Sequence, residues 1–255
     1  MPQIPSLIDM LKAGVHFGHQ KAKWHPRMRP FIYTVRHGIH VIDLEQTAKQ
    51  LEAALNFLRE VTSGGGTVLF TSLKEQANDP IRQAAKTTGM PYIVERWLGG
   101  VFTNFGVISK LLRRLDMLEA EKQRGLWDKY SKKEQLERQR DFDRLNMTVG
   151  GIRNLTRLPQ VVFLVGTREG KNAIREAHKV GVPVVALVDT NTNPSSVDYP
   201  VPANDDALRA IQMIVGLAAE AVLEGQKIAL DQVTTAAVAA VPGTETKVQG
   251  LVIGT

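Results

Sequence analysis

Apolar residues in this chain follow two alternating patterns. Short unbroken runs, Thr67–Thr71, Pro91–Val94, Val161–Val165 and Val184–Val188, read as strands buried on both faces. Between them the apolar positions recur at helical spacing. Leu44, Leu51, Leu55 and Leu58 predict a helix from Asp43 or Leu44 to about Val61. Further helices are expected over Glu75–Thr87, over Lys171–Val180 with Gly181 as its stop, and over Asp205–Glu224 with Asn204 or Asp205 as cap. Val197–Val201 reads as a short extended piece. Strands that alternate with helices imply an α/β protein built on a parallel sheet with helices on both faces.

Two stretches break this rhythm. From Val107, the positions Ile108, Leu111, Leu112, Leu115 and Leu118 mark one helix, and Ser131 to Asn154 reads as a second, with Leu136, Phe142, Leu145 and Val149 on one side. Their other faces are dense in charge, so an antiparallel helical hairpin inserted into the α/β core is expected. At the amino end, Ser6–Ala13 reads as a helix with Ser6 as its N-cap, Asp9 completing the cap, and Gly14 ending it. The expected division is therefore 1–43 for the first helix and an arm, 44–106 with 159–228 for the core, 107–158 for the hairpin, and 229–255 for a flexible tail.

Charge changes the picture in one place. The 255 residues carry a formal net charge of +6, which by itself points only weakly to a polyanionic partner. Within 15–40, however, lie five of the six histidines (His16, His19, His25, His37, His40) with Lys21, Lys23, Arg27, Arg29 and Arg36, and no acidic residue. Trp24, Phe31 and Tyr33 are interleaved, and Pro26 and Pro30 exclude a regular helix. The segment reads as an irregular loop followed by a hairpin, Phe31–Val35 and Ile39–Ile42, turning at His37-Gly38. Cations neutralise phosphates and rings stack on unpaired bases, so this arm is a candidate RNA contact. A second candidate is Glu95-Arg96-Trp97-Leu98-Gly99-Gly100 with Thr103 and Asn104, where two glycines permit close backbone approach.

Several chemistries are excluded or disfavoured. The chain has no cysteine, so disulfides, thiolate catalysis and cysteine-ligated metals are absent. No run is long enough to span a bilayer and no secretory signal is legible at Met1–Pro5, so a soluble intracellular protein without membrane contact is expected. A parallel sheet invites a nucleotide-dependent enzyme as the alternative, but neither G-x-G-x-x-G nor G-x-x-x-x-G-K-[ST] follows a strand. Gly166-Thr167-Arg168-Glu169-Gly170 does follow one and is read first as a surface turn. His16-x-x-His19 invites a metal, but Gly14 and Gly18 argue against a regular helix there. Asp189 and Asp205, with Asn191 and Asp206, flank the last strands as a candidate divalent-ion site, with capping and turn chemistry as the simpler reading.

The run Leu11-Lys12-Ala13-Gly14-Val15-His16-Phe17-Gly18-His19 resembles the N-terminal signature of the bacterial ribosomal small-subunit protein two family. Trp24-His25-Pro26-Arg27-Met28, Ile39–Leu44, Glu95–Gly100 with Thr103-Asn104-Phe105, Pro183–Asp189 and Asn204–Ala207 carry the same resemblance, in order from about residue 6 to 225. The resemblance implies a Rossmann-like core with a protruding coiled-coil hairpin. It implies a structural, non-catalytic role in the cytoplasmic small ribosomal subunit, between head and body, touching small-subunit ribosomal RNA and neighbouring proteins, ribosomal protein one included. Lys21, Lys23, Arg27, Arg29, Arg36 and Arg96 are then the expected phosphate contacts. His16, His19, Trp24, Trp97 and Asn104 are expected to shape the contact loops. No cofactor is required, and a divalent ion at Asp189 and Asp205 stays open.

Overall fold

The computed structural model describes residues 2–239. In chain order its elements are α1 (Leu7–Ala13), β1 (Phe17–Gln20), β2 (Ile32–Arg36), β3 (Ile39–Ile42), α2 (Leu44–Ser63), β4 (Val68–Ser72), α3 (Glu75–Thr88), β5 (Tyr92–Val94), α4 (Phe105–Gln123), α5 (Lys132–Val149), β6 (Val161–Val165), α6 (Lys171–Val180), β7 (Val184–Val188), β8 (Tyr199–Pro202) and α7 (Leu208–Ala239). The main sheet has five parallel strands in the order β5-β4-β6-β7-β8. Every residue of β4, β6 and β7 is buried, as their unbroken apolar sequences require.

Side chains alternate across the sheet and seed two cores. Val68, Phe70, Phe163, Val185 and Leu187 face Leu51, Leu58, Ile81, Ile214 and Ala218 of α2, α3 and α7. Leu69, Val162, Leu164, Val184 and Ala186 face Ile108, Leu115, Ala173 and Ile174 of α4 and α6. Helices therefore cover both faces, as the sequence pattern implies.

The arm sits on this core as a three-stranded antiparallel sheet, β1-β3-β2. Its β2–β3 turn has positive φ at both His37 (48°) and Gly38 (76°), the geometry a two-residue hairpin needs. The strand at Phe17–Gln20 corrects the expectation of an irregular loop. It forms because Phe17 and Gln20 pair with Val41 and Ile39, a long-range partner that periodicity within the segment cannot show. Short 3-10 turns, Lys21–Lys23 and Pro26–Phe31, follow. Met10 and Val15 enter one core and Met28 the other, so the arm straddles the edge of the sheet.

Helices α4 and α5 run antiparallel, since Arg114 pairs with Asp141 (2.5 Å) and Glu121 with Arg138 (2.8 Å). Gly125 at φ 66° turns the chain, and Ser131 and Glu134 form a reciprocal capping box that starts α5. Helix α5 ends at Val149, earlier than Asn154. Gly150 and Gly151 follow, and a Cβ on Gly151 would lie 2.3 Å from the Tyr92 carbonyl oxygen. Helix α7 continues to Ala239, past the expected boundary at 228. Residues 240–255, the rest of the expected tail, lie outside the described residues.

Candidate nucleic-acid interface

All parallel strands deliver their loops to one edge of the sheet. Strand β4 is followed by Lys74, β6 by Gly166–Gly170, β7 by Asp189–Asn193 and β8 by Ala203–Asp206. In folds of this type ligands bind beyond the carboxyl ends, where neighbouring connections diverge. Here that point lies between β4 and β6, and the Lys74 side chain fills it. A Cβ on Gly166, whose φ is 84°, would meet Lys74 Cγ at 2.9 Å.

The arm is hydrogen-bonded to the same edge. Thr190 holds it twice: its hydroxyl oxygen accepts from the His19 amide (2.8 Å), and its carbonyl accepts from the His25 amide (2.8 Å). Asn204 holds the arm's root, donating its amide to the Val15 carbonyl (3.0 Å) and its side-chain NH2 to the Gly14 carbonyl (3.2 Å). The Asn204 Oδ1 in turn accepts from the amides of Asp206 and Ala207 and so shapes the entry to α7. Gly18 lies flat against Thr190, with no room for a Cβ.

On the outer side of this arm Lys21, Lys23, Arg27, Arg29 and Arg36 are exposed, and none forms an ion pair among the described residues. Arg96 is also exposed and unpaired, but it stands on the loop after β5. There Glu95, at φ 71°, turns its side chain to Arg82 (2.5 Å).

The residues expected to shape these loops make different kinds of contact. The Trp97 indole N–H donates to Glu176 Oε1 (3.1 Å). The same carboxylate accepts from the amides of Gly100 (2.8 Å), Phe102 (3.2 Å) and Thr103 (3.4 Å) and from the Thr103 hydroxyl (3.3 Å). Partial burial pushes the Glu176 carboxyl up, but these donors together outweigh it and hold it below its ordinary value. Asn104 is exposed. Its amide donates to the Gly100 carbonyl (2.8 Å), closing the loop that begins at Gly100, where φ is 94°. Trp24 packs beside His40 with ring centres 5.3 Å apart, and burial followed by the nearby Lys21 charge lowers the His40 pKa. His16 lies against Phe17, its Nδ1 buried without a partner and its pKa lowered by that burial.

His19 does more than shape a loop. Its Nδ1 is 3.1 Å from Asp189 Oδ2 and its Nε2 is 3.3 Å from Asp206 Oδ2. His19, Asp189, Asp205 and Asp206 each present an atom that could ligate a metal, all within 4.8 Å of one another. His16 is not part of this group. The two aspartates singled out from sequence, Asp189 and Asp205, are both buried within it. Lys74 Nζ reaches in as well, donating to Asp205 Oδ1 (2.5 Å) and Asp206 Oδ1 (2.7 Å). Three carboxylates thus converge on one ammonium and one imidazole. The hydrogen bond from Asp189 is the largest cause of a raised His19 pKa. Burial, then the Asp189 charge, pushes Asp205 up to about 7. Burial pulls Lys74 down, but the two aspartates more than reverse that.

Sequence reasoning missed Lys74, Thr190 and Glu176, whose partners are far away along the chain. It read the turn containing Arg168 as able to hold an anion but first as a surface turn, and it passed over Lys171 and Arg175; all three line an open cavity with Lys23 at the carboxyl ends of β6 and β7. The spacing of Lys171 and Arg175, one helical turn apart after a strand, is the signal that was available.

An α/β scaffold whose sheet edge is occupied by its own cationic arm, with that arm's cations exposed, has the form of a polyanion-binding scaffold. The comparisons with known proteins are specific. The model of the family described as ribosomal protein S2 matches residues 10–225. The chain is similar to the small ribosomal subunit protein uS2 of Coprothermobacter proteolyticus (strain ATCC 35245 / DSM 5265 / OCM 4 / BT), with 46% identity over 224 residues, 88% of this chain and 84% of that one. The chain belongs to the ribosomal protein S2 family.

Proposed function

We propose that this chain is a structural, non-catalytic component of the small ribosomal subunit in the cytoplasm, docking on small-subunit ribosomal RNA between head and body. The carrying observation is the arm: exposed Lys21, Lys23, Arg27, Arg29 and Arg36 have no protein counter-charge among the described residues, and Thr190 and Asn204 fix the backbone that bears them. Phosphates supply the missing charge, and Arg96 adds a contact from the loop after β5. The 107–158 hairpin is the proposed docking element for neighbouring ribosomal proteins, ribosomal protein one among the partners. Among the described residues, no helix is long and apolar enough to cross a membrane.

Reversing charge at Arg27→Glu and Arg29→Glu tests the arm. In a competition for incorporation into small subunits the double variant should lose to the unsubstituted chain; equal incorporation removes these two residues from the interface. Equilibrium dialysis against ATP, GTP and NAD tests the non-catalytic reading, which micromolar binding would overturn.

The cluster of His19, Asp189, Asp205 and Asp206 supports a second, subordinate proposal, a divalent-ion site that ties the arm to the sheet. One imidazole with three carboxylates suits zinc or a harder divalent ion. Lys74 is the competing cation. Elemental analysis of the purified chain decides between them: a stoichiometric divalent metal that His19→Ala abolishes supports the site, and a metal-free chain leaves Lys74 as the cluster's counter-charge.

A further inference from the structure

The carboxyl ends of β6 and β7, with the start of α6, enclose an open cavity of about 870 Å3. Lys23, Arg168, Lys171 and Arg175 line it, and no carboxylate does. All four are exposed, and none has an ion partner among the described residues. Four like charges around one hollow repel one another, so the arrangement is stable chiefly when an anion neutralises it. The remaining wall differs in kind. His25 and His178 contribute rings, while Asn191, Asn193 and Ser195 contribute amide and hydroxyl groups. Asn191 Oδ1 is buried without a hydrogen-bond partner, an unmet acceptor at the cavity wall. The floor is rigid, because buried Thr167 and Thr192 bond each other across the two loops (2.9 Å).

We propose that this cavity seats one unpaired nucleotide of the small-subunit ribosomal RNA, with the strand's phosphates on Lys23, Arg168, Lys171 and Arg175 and the base edge on Asn191 and its neighbours. The proposal rests on the reading that the chain docks on that RNA. The volume suits a single nucleotide, since pockets for small organic ligands span roughly 300–1,000 Å3. Amides and hydroxyls beside cations match the way unpaired bases are read, by edge contacts while the backbone is held. A free nucleotide fits less well. The turn after β6 lacks a glycine-rich loop that wraps phosphates, and the cavity is open to solvent. A strand can enter and leave such a hollow, and Lys23 and His25 make it continuous with the arm.

The test uses the full chain and small-subunit particles lacking it, with affinity measured across a salt series. Arg168→Gln, Lys171→Gln and Arg175→Gln together should flatten the log–log salt dependence by about 2, from three phosphate contacts at ~0.7 each on a single strand. Thermal melting of the free chain should not fall, since all three side chains are exposed and the substitutions relieve their mutual repulsion. Asn191→Ala should weaken binding severalfold at every salt concentration and leave the slope alone. An unchanged slope in the triple variant, while Arg27→Gln with Arg29→Gln flattens it, overturns the cavity assignment and leaves the RNA-docking reading standing. If the unsubstituted chain fails to bind the particles, the RNA-docking reading itself falls and takes the cavity with it. Micromolar binding of free AMP or GMP, lost in the triple variant, would make the cavity a mononucleotide site and overturn the RNA assignment.

Discussion

Removing the Glu176 carboxylate should unfasten the loop after β5. Five donors from Trp97, Gly100, Phe102 and Thr103 converge on it. The Thr103 pair, at 3.4 and 3.3 Å from an exposed residue, can turn to water and contributes little. The Gly100, Trp97 and Phe102 donors, at 2.8, 3.1 and 3.2 Å, have less recourse, because Trp97 and Phe102 are only 8% and 4% exposed. A hydrogen bond to a charged acceptor contributes ~1.5–3 kcal/mol. The carboxylate is half-buried, so the low end applies. Three such bonds set a ceiling of about 4.5 kcal/mol, so Glu176→Ala should cost about 3–4.5 kcal/mol, and Glu176→Gln, which keeps one acceptor and loses the charge, about 1–2 kcal/mol.

Urea unfolding followed by circular dichroism at pH 7 measures both variants, and an unchanged m-value confirms that only the native loop is affected. The acid limb gives an independent check. The folded-state pKa of Glu176 lies below its ordinary value, so its stabilisation is complete above the ordinary carboxyl range and disappears as pH falls through the folded pKa. The gap between the unsubstituted chain and Glu176→Gln should hold from pH 7 to 5 and close in stronger acid. Function provides the last readout: Arg96 stands on this loop, so Glu176→Ala should also reduce incorporation into small subunits. If Glu176→Ala matches the parent within about 0.5 kcal/mol, the loop is held by the packing of Trp97 and Phe102 alone, and the hydrogen-bond argument is wrong.

Other expectations are simpler to state. Gly18→Ala would place a Cβ 2.6 Å from Thr190 Cγ2 and 2.7 Å from its Oγ1, and should destabilise by ~1–3 kcal/mol in thermal melting; adding Thr190→Ala should recover part of that loss. For Asp205, the folded state keeps a proton that the unfolded chain has released between pH 3.8 and about 7, so stability declines across that window. Asp205→Asn removes this decline, and with a chelator present its melting temperature should gain on the parent as pH rises from 5 to 8. In the hairpin, Arg114→Ala breaks a pair whose arginine is largely exposed and should change stability by ~0–1 kcal/mol, whereas Leu115→Ala, 0% exposed, should cost ~2–5 kcal/mol.

The core was legible because burial on both faces leaves a continuous mark. Val161–Val165 and Val184–Val188 match their strands end for end, and Ser6 caps α1 as expected; α7 starts at Leu208, later than Asp205, so Asn204 binds the amides of the turn before the helix instead of capping it. The arm's exposed cations were legible for the same local reason, an acid-free window. Its anchoring was not. Thr190 meets His19 across 171 positions, Trp97 meets Glu176 across 79 and Lys74 meets Asp205 across 131, and no spacing rule spans such distances. His19 shows the consequence. Its spacing from His16 suggested a pair, but strand β1 assigns it to carboxylates brought by β7 and by the turn after β8, while His16 packs against Phe17.

These distant contacts share a place, and that place explains how a parallel α/β sheet can serve as a docking scaffold. Beyond the carboxyl ends, where related architectures receive a nucleotide, this chain puts its own groups. Lys74 crosses Gly166 and meets Asp205 and Asp206, and the Thr190 carbonyl and hydroxyl receive the amides of His25 and His19. The hydrogen-bonding capacity of the strand ends is spent internally on one face of the arm, which frees the other face to carry unpaired cations outward. The β6–β7 end, lined by Lys23, Arg168, Lys171 and Arg175, keeps an open hollow that no carboxylate lines. Under the proposed function, a fold that elsewhere encloses a small phosphate ligand would thereby present its charge to a much larger one.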